Sequence, residues 1–306
     1  FFNKGLLENR KAHEGIIFSA KLNRIRIFNE KKISKDINNR NRIRLLQSAL
    51  QSVNNNEMEI DRIFDLEKFA AHFAIIDLMN GYHAVGFNSF YYFNPITNLI
   101  EPITREYNSL RYSDGQINNK IMIDDKRRTS GAFLNKLFQN KNFTEQYLTK
   151  LLKLSDKKYL DEFFEDVDAD LSIQKKILYR DDPFYIFPKE YMYIRQKQII
   201  EWLNQDLNIV ANIDEDNLAL YNIKFRNNTQ FPIELIRIFS SDQNLETFSN
   251  NIVLPGKEMS LSIELVPNVT ANDLNFSYKI YGIKNLVRER IVVPKSFSTG
   301  VSLSKF

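Results

Sequence analysis

Cysteine is absent from all 306 residues, so the chain forms no disulfide, carries no reactive thiolate and offers no cysteine-based zinc site. Its three histidines, His13, His72 and His83, stand too far apart in sequence to suggest a zinc site without cysteine. No run of eighteen apolar residues occurs, so no membrane span is expected. The net charge of +4 is mild. It suits an anionic polymer or a phosphorylated partner, but it is not the footprint of a nucleic-acid binder. The lack of cysteine does not fix a compartment, and the Asn-, Lys- and Ile-rich composition points to an AT-rich genome more than to an environment.

What is present is ample apolar material. At 43% hydrophobic residues, the chain can bury a substantial core, and its length fits one large or two ordinary domains. The chain is organised around Phe64 to Asp114. Asp65 occupies an N-cap position, and Leu66, Phe69, Phe73, Ile76 and Met79 follow at three- and four-residue steps, the spacing of one buried helical face. Asn80-Gly81 ends that helix. Phe90 to Phe93 is an aromatic strand, Asn94-Pro95 and Thr97-Asn98 signal a turn, and Leu99-Ile100 with Pro102-Ile103 reads as the returning strand.

This helix, polar loop and hairpin resemble the CotH family of spore-coat and cell-surface kinases. The resemblance rests on Phe64-Asp65, Phe69-Ala70, Asn88, Tyr91-Tyr92, Asn94-Pro95, Thr97 and Pro102-Ile103. It extends upstream through Leu6 to Gly15 and downstream through the helices near Leu137 to Leu154, covering roughly the first two hundred residues. It implies an α+β protein whose residues 1–204 form the helical, larger lobe of a kinase-like fold with a β-hairpin at the site. The small β-rich lobe that would supply a phosphate-contacting Lys is missing ahead of Phe1, so the chain is expected to be a fragment or a processed piece.

The chemistry implied is phosphoryl transfer from ATP, with Mg²⁺ or Mn²⁺ as the metal. By the resemblance, His83 stands at the catalytic Asp position, with the kinase-like spacing to Asn88. Asn88 is the metal-binding Asn. Glu106 and Asn108 take the places of two hairpin carboxylates, and Arg105 that of a Trp. Each replacement weakens the site. Mg²⁺ requires near-ideal octahedral oxygens at about 2.0–2.1 Å, whereas Glu carries its carboxylate about 1.5 Å further out than Asp. Asn108 offers no negative charge and Arg105 adds a positive one. His83 can accept a proton, but it cannot act as an anionic anchor.

Two function classes follow. One is a non-catalytic module that binds or scaffolds a surface or coat protein outside the cytoplasm. The other is an atypical kinase acting on Ser or Thr of such a protein, with His83 as base and Asn88 and Glu106 holding the metal.

Elsewhere the signals are blander. The basic run from Lys21 to Arg44 lacks the interleaved aromatic residues that single-strand binding needs, and reads as a solvated surface. Tyr112 to Arg128 reads as an exposed loop whose cluster Asp124 to Arg128 is a solvated turn. Helical periodicity returns at Phe133–Phe138, Phe143–Leu154, Tyr159–Phe164, Leu171–Leu178 and Tyr191–Leu203, taken as core helices of the lobe. Glu162, Glu165, Asp166, Asp168 and Asp170 lack the Gly and terminal Glu of a calcium loop and read as a solvated helix end. Beyond Gln205 the period changes to two. Strands expected over Leu218–Arg226, Phe231–Phe239, Met259–Val266, Asn275–Ile283 and Val287–Val293 suggest an immunoglobulin-like sandwich over residues 205–306.

Overall fold

The computed structural model describes residues 2–3, 26–27, 29–81, 84, 89–104, 133–187, 189–204, 207–217, 220–229, 231–241, 243–264, 269–283 and 287–293. The chain is mixed α and β, and its sheets are antiparallel. It divides into two compact units, Phe1–Gln205 and Asp206–Phe306.

The first unit contains β1 (Phe2–Asn3), β2 (Arg26–Ile27), α1 (Glu30–Ile33), α2 (Ile37–Asn54) and α3 (Leu66–Met79). The hairpin β3 (Phe90–Asn94) and β4 (Leu99–Ile103) comes next. The helices α4 (Phe133–Gln139), α5 (Lys141–Ser155), α6 (Lys157–Asp166), α7 (Asp168–Leu178) and α8 (Lys189–Leu203) complete it. The strands form one sheet in the order β2-β1-β3-β4.

Caps fix where the helices begin. Side chains of Asp36, Asp65 and Asn140 accept from the backbone N–H three residues on, at 2.8, 3.1 and 3.0 Å, which satisfies donors that a helix N-terminus leaves open. At the other end of α3, Asn80 adopts a left-handed φ of 51° and Gly81 N–H reaches back to Ile76 O at 2.8 Å, closing the helix.

Helix α3 is the centre of the unit. Phe69, Ala70, Ala74 and Ile76 are fully buried on it. The Phe69 ring meets Phe64, Tyr91 and Phe133 at 5.4, 5.8 and 5.9 Å between centroids. Phe73 continues the cluster to Phe138 and Phe143. Helix, hairpin and α4/α5 thus share one aromatic core. The backbone ties helix and hairpin together too, since Asp65 N–H donates to Ile100 O at 2.9 Å and Ile100 N–H donates to Ile63 O at 2.6 Å.

His72 lies on the same helix and is 5% exposed, with Phe69 and Phe73 beside its ring. Burial lowers its pKa from the ordinary 6.5 to about 4. Because the folded value lies below the unfolded one, stability is intact above pH 6.5 and declines as pH falls toward 4. Urea unfolding followed by the fluorescence of Trp202, the chain's one tryptophan, should show the cost. Wild type is expected to lose about 2 kcal/mol more than His72→Leu between pH 7.5 and pH 5. Parallel pH profiles for the two proteins would overturn this reading of His72.

The second unit is all β among its described strands. Strands β5 (Ile209–Asn217), β6 (Leu220–Asn227) and β9 (Glu258–Glu264) form one sheet in the order β5-β6-β9. Strands β7 (Ile233–Ser240), β8 (Gln243–Val253), β10 (Leu274–Ile280) and β11 (Arg288–Ile291) form another in the order β11-β10-β7-β8. Burial alternates along β6, with Tyr221, Ile223 and Phe225 inward, and Phe276 and Tyr278 turn inward from β10. Phe225 meets Phe276 edge to face at 5.2 Å, joining the two sheets through their apolar faces. Buried Asn227 donates from Nδ2 to Phe231 O and Val253 O at 2.6 and 2.8 Å, pinning the β6–β7 connection.

Two strands of the second unit were not expected. β5 and β8 are edge strands of their sheets and carry Asn, Asp, Glu, Ser and Thr where an apolar alternation would mark a strand. A correction also applies to Leu171–Leu178, expected among the core helices: α7 forms there but buries none of its side chains.

Candidate functional site

The four residues that the sequence singles out, His83, Asn88, Glu106 and Asn108, lie outside the described residues. What is described is the frame on either side of them.

That frame begins at the C-terminal end of α3. Asn80, buried, donates from Nδ2 to Tyr191 Oη at 3.0 Å, tying the start of the loop to α8. Ala84 N–H donates to Gly81 O at 2.9 Å, and Ser89 Oγ donates to Ala84 O at 2.9 Å. Ser89 is itself buried, and Phe90 then pairs with Ile103. Ser89 and Thr104 therefore stand at the same end of the hairpin, directly before and after its last pair. In sequence, Asn88 immediately precedes the first, and Arg105 and Glu106 follow the second.

The far end of the hairpin is built for rigidity. Asn98 has a left-handed φ of 57°, and its N–H donates to Asn94 O at 2.9 Å. Asn94 Nδ2 donates to Glu101 Oε1 at 2.8 Å, and Glu101 also takes Lys68 Nζ at 2.8 Å. The hydrogen bond from Lys68 is the main reason that Glu101 is held below the usual carboxylate range, and the same bond raises Lys68. An open groove of about 770 Å³ lies at this turn end, lined by Leu45, Leu46, Met58, Ile63 and Phe93 with Arg42 and Arg62 among its polar lining. It is not at the hairpin base where the sequence places the chemistry.

At the C-terminal half of α3 sits a polar cluster that sequence reasoning missed. Asp77, on α3 and fully buried, accepts from Tyr147 Oη at 2.5 Å. Arg195, on α8 and 1% exposed, donates from Nε to Asp77 O at 2.7 Å and from a terminal nitrogen to Gln198 Oε1 at 3.1 Å. A guanidinium at the C-terminal turn of a helix also meets the negative end of its dipole. The visible signal was a charged residue inside the apolar run Ile75-Ile76-Asp77-Leu78-Met79. Tyr91, at the base of β3, is buried, and that burial pushes its hydroxyl pKa up while a hydrogen bond with Ser89 opposes the shift.

Among the described residues, no group of three or more His, Asp or Glu side chains could hold a metal ion. The cluster is buried and ties the C-terminal turn of α3 to Tyr147 and to α8. In comparison with known proteins, the chain matches no family model, no curated protein and no solved structure. The motif residues and the frame around them therefore carry the functional argument.

Proposed function

We propose that the chain is a CotH-like protein with a degenerate kinase site, working as a non-catalytic binding or scaffolding module at a bacterial cell or spore surface. One observation carries this reading. The described frame around the motif runs from capped α3 to a hairpin whose base is bracketed by Ser89 and Thr104, the order of elements that the resemblance implies. The residues that would perform kinase chemistry are replaced: His83, Glu106 and Asn108 stand where Asp is expected, and Arg105 adds a positive charge beside them. We read the helical unit as a kinase-like lobe and the second unit as an immunoglobulin-like sandwich. The strand orders β5-β6-β9 and β11-β10-β7-β8 support the latter. The extracytoplasmic location and the surface or coat protein as partner follow from the family resemblance alone. Among the described residues, no helix is long and apolar enough to cross a membrane.

Nucleotide binding is the test. A ligand held at one hundred times its Kd stabilises a protein by about 2.7 kcal/mol, which would raise Tm by about 5–10 °C in a unit of this size. No rise is expected with millimolar ATP, with or without Mg²⁺ or Mn²⁺. A metal-dependent rise that disappears in Asn88→Ala and Glu106→Ala would overturn the degenerate site. It would favour the atypical kinase instead, with His83 as base, a reading that the His83 to Asn88 spacing supports.

A further inference from the structure

Away from the hairpin base, the open groove at the turn end is lined on one side by a single stripe of α2. Arg42, Leu45, Leu46 and Ala49 stand there at steps of three and four residues, so this wall runs about 10 Å along the helix. Met58, Ile63 and Phe93 complete the apolar lining. Leu46 and Ile63 are buried, whereas Leu45 is 72% and Met58 38% exposed. Of the six apolar lining residues only Phe93 is aromatic, so the groove suits a flexible chain better than a flat ring or base that needs stacking partners. Its volume of about 770 Å³ falls inside the range of about 300–1,000 Å³ that small-molecule sites occupy.

The lining carries two acids and two bases, and they are not equally engaged. Glu57 accepts from Asn55 Nδ2 at 3.1 Å. Glu59 also borders a neighbouring polar pocket of about 220 Å³, where it interacts electrostatically with Lys136. Arg42 and Arg62 are exposed, and among the described residues neither side chain makes a hydrogen bond or an ion pair. Uncommitted guanidiniums beside an aliphatic groove favour an anion with an apolar tail. The planar fork of Arg matches a carboxylate, and each methylene that the groove covers adds to the affinity. We propose that this groove binds a single-chain amphipathic anion, its acyl chain along the α2 stripe and its carboxylate taken by Arg42 and Arg62. A membrane surface fits less well, because Glu57 and Glu59 stand exposed on the same lining and would face its anionic headgroups. The proposal is independent of whether the site at the hairpin base is catalytic.

Isothermal titration calorimetry of the full chain with sodium decanoate, kept below its micelle concentration, tests it. Wild type is expected to bind in the submillimolar range, and to bind tighter by up to about fourfold for each methylene added from octanoate to dodecanoate. Decanol, with the same chain length and no charge, is expected to bind about tenfold more weakly. Arg42→Gln combined with Arg62→Gln should lose that factor for decanoate and nothing for decanol, a split that general damage to the fold would not produce. Leu45→Glu should abolish binding of both with an unchanged far-ultraviolet circular dichroism spectrum. A wild type that does not bind decanoate overturns the proposal. So does an affinity that the double variant leaves unchanged, or one equal for decanoate and decanol, which is apolar adsorption alone. A wild type that ignores decanoate but pellets with phosphatidylglycerol vesicles would give the groove to a membrane surface instead.

Discussion

Phe69→Ala is expected to destabilise the first unit by about 3–5 kcal/mol, the cost of removing a buried ring and leaving a cavity that its surroundings fill poorly. The position is 0% exposed. Its ring touches residues from four separate places in the chain: Phe64 before α3, Phe73 within it, Tyr91 on β3 and Phe133 on α4. No single neighbour can move in without abandoning another partner, so collapse of the cavity is resisted. The loss is a large fraction of the stability of an ordinary domain, which is about 5–15 kcal/mol. Trp202 makes the measurement specific. It lies on α8 in the first unit, and the second unit has no tryptophan, so a urea titration followed by its fluorescence reads a probe carried by the helical unit. A drop under about 1 kcal/mol would mean that the aromatic cluster is not the core of this unit.

Much of that core could be read from the sequence. Leu66, Phe69, Phe73 and Ile76 repeat with a helical period, and all four are buried. Asp65 and Asn80 mark the two ends of the helix by side-chain chemistry that acts locally, so no tertiary information was needed to place them. The hairpin was legible for the same reason, with aromatic residues in the strand and Asn and Pro in the turn. Edge strands were not. The buried positions of β5, Ile209, Ala211 and Ile213, are separated by Val210 and Asn212 and run straight into Asp and Glu, a pattern without clear alternation until a neighbouring strand supplies the hydrogen bonds. Helix α7 was read correctly as helical but wrongly as core, because periodicity reports an apolar face and not what covers it. The candidate site divides in the same way. The family resemblance names His83, Asn88, Glu106 and Asn108. The cluster of Asp77, Tyr147 and Arg195 joins positions up to 118 residues apart and has no local signature.

That cluster carries the other large expected effect. Arg195→Met keeps most of the aliphatic stem and removes the guanidinium, so the loss it causes is polar and not a matter of volume. Arg195 is 1% exposed and Asp77 0%. The guanidinium donates to the backbone carbonyl of the residue whose carboxylate takes the Tyr147 hydroxyl. Removing the cation leaves the buried Asp77 side chain without the positive charge beside its own backbone, and leaves the Asp77 carbonyl short of that donor. Breaking a buried charged arrangement from one side costs about 3–5 kcal/mol. Replacing the polar members together is gentler, because no partner is left stranded. The triple variant Asp77→Leu, Tyr147→Phe and Arg195→Met should therefore be more stable than Arg195→Met alone, although it has lost more hydrogen bonds. Urea midpoints read through Trp202 decide this. If the three substitutions simply add, each residue acts by itself and the cluster does not anchor α3 as a unit. If the triple variant recovers stability, the cluster is a coupled anchor. Restoring stability by this route removes the polar anchor at the C-terminal end of α3 while leaving the Asn80–Tyr191 hydrogen bond and the motif residues His83 and Asn88 in place in the sequence. A partner that still binds the triple variant would then not depend on that anchor.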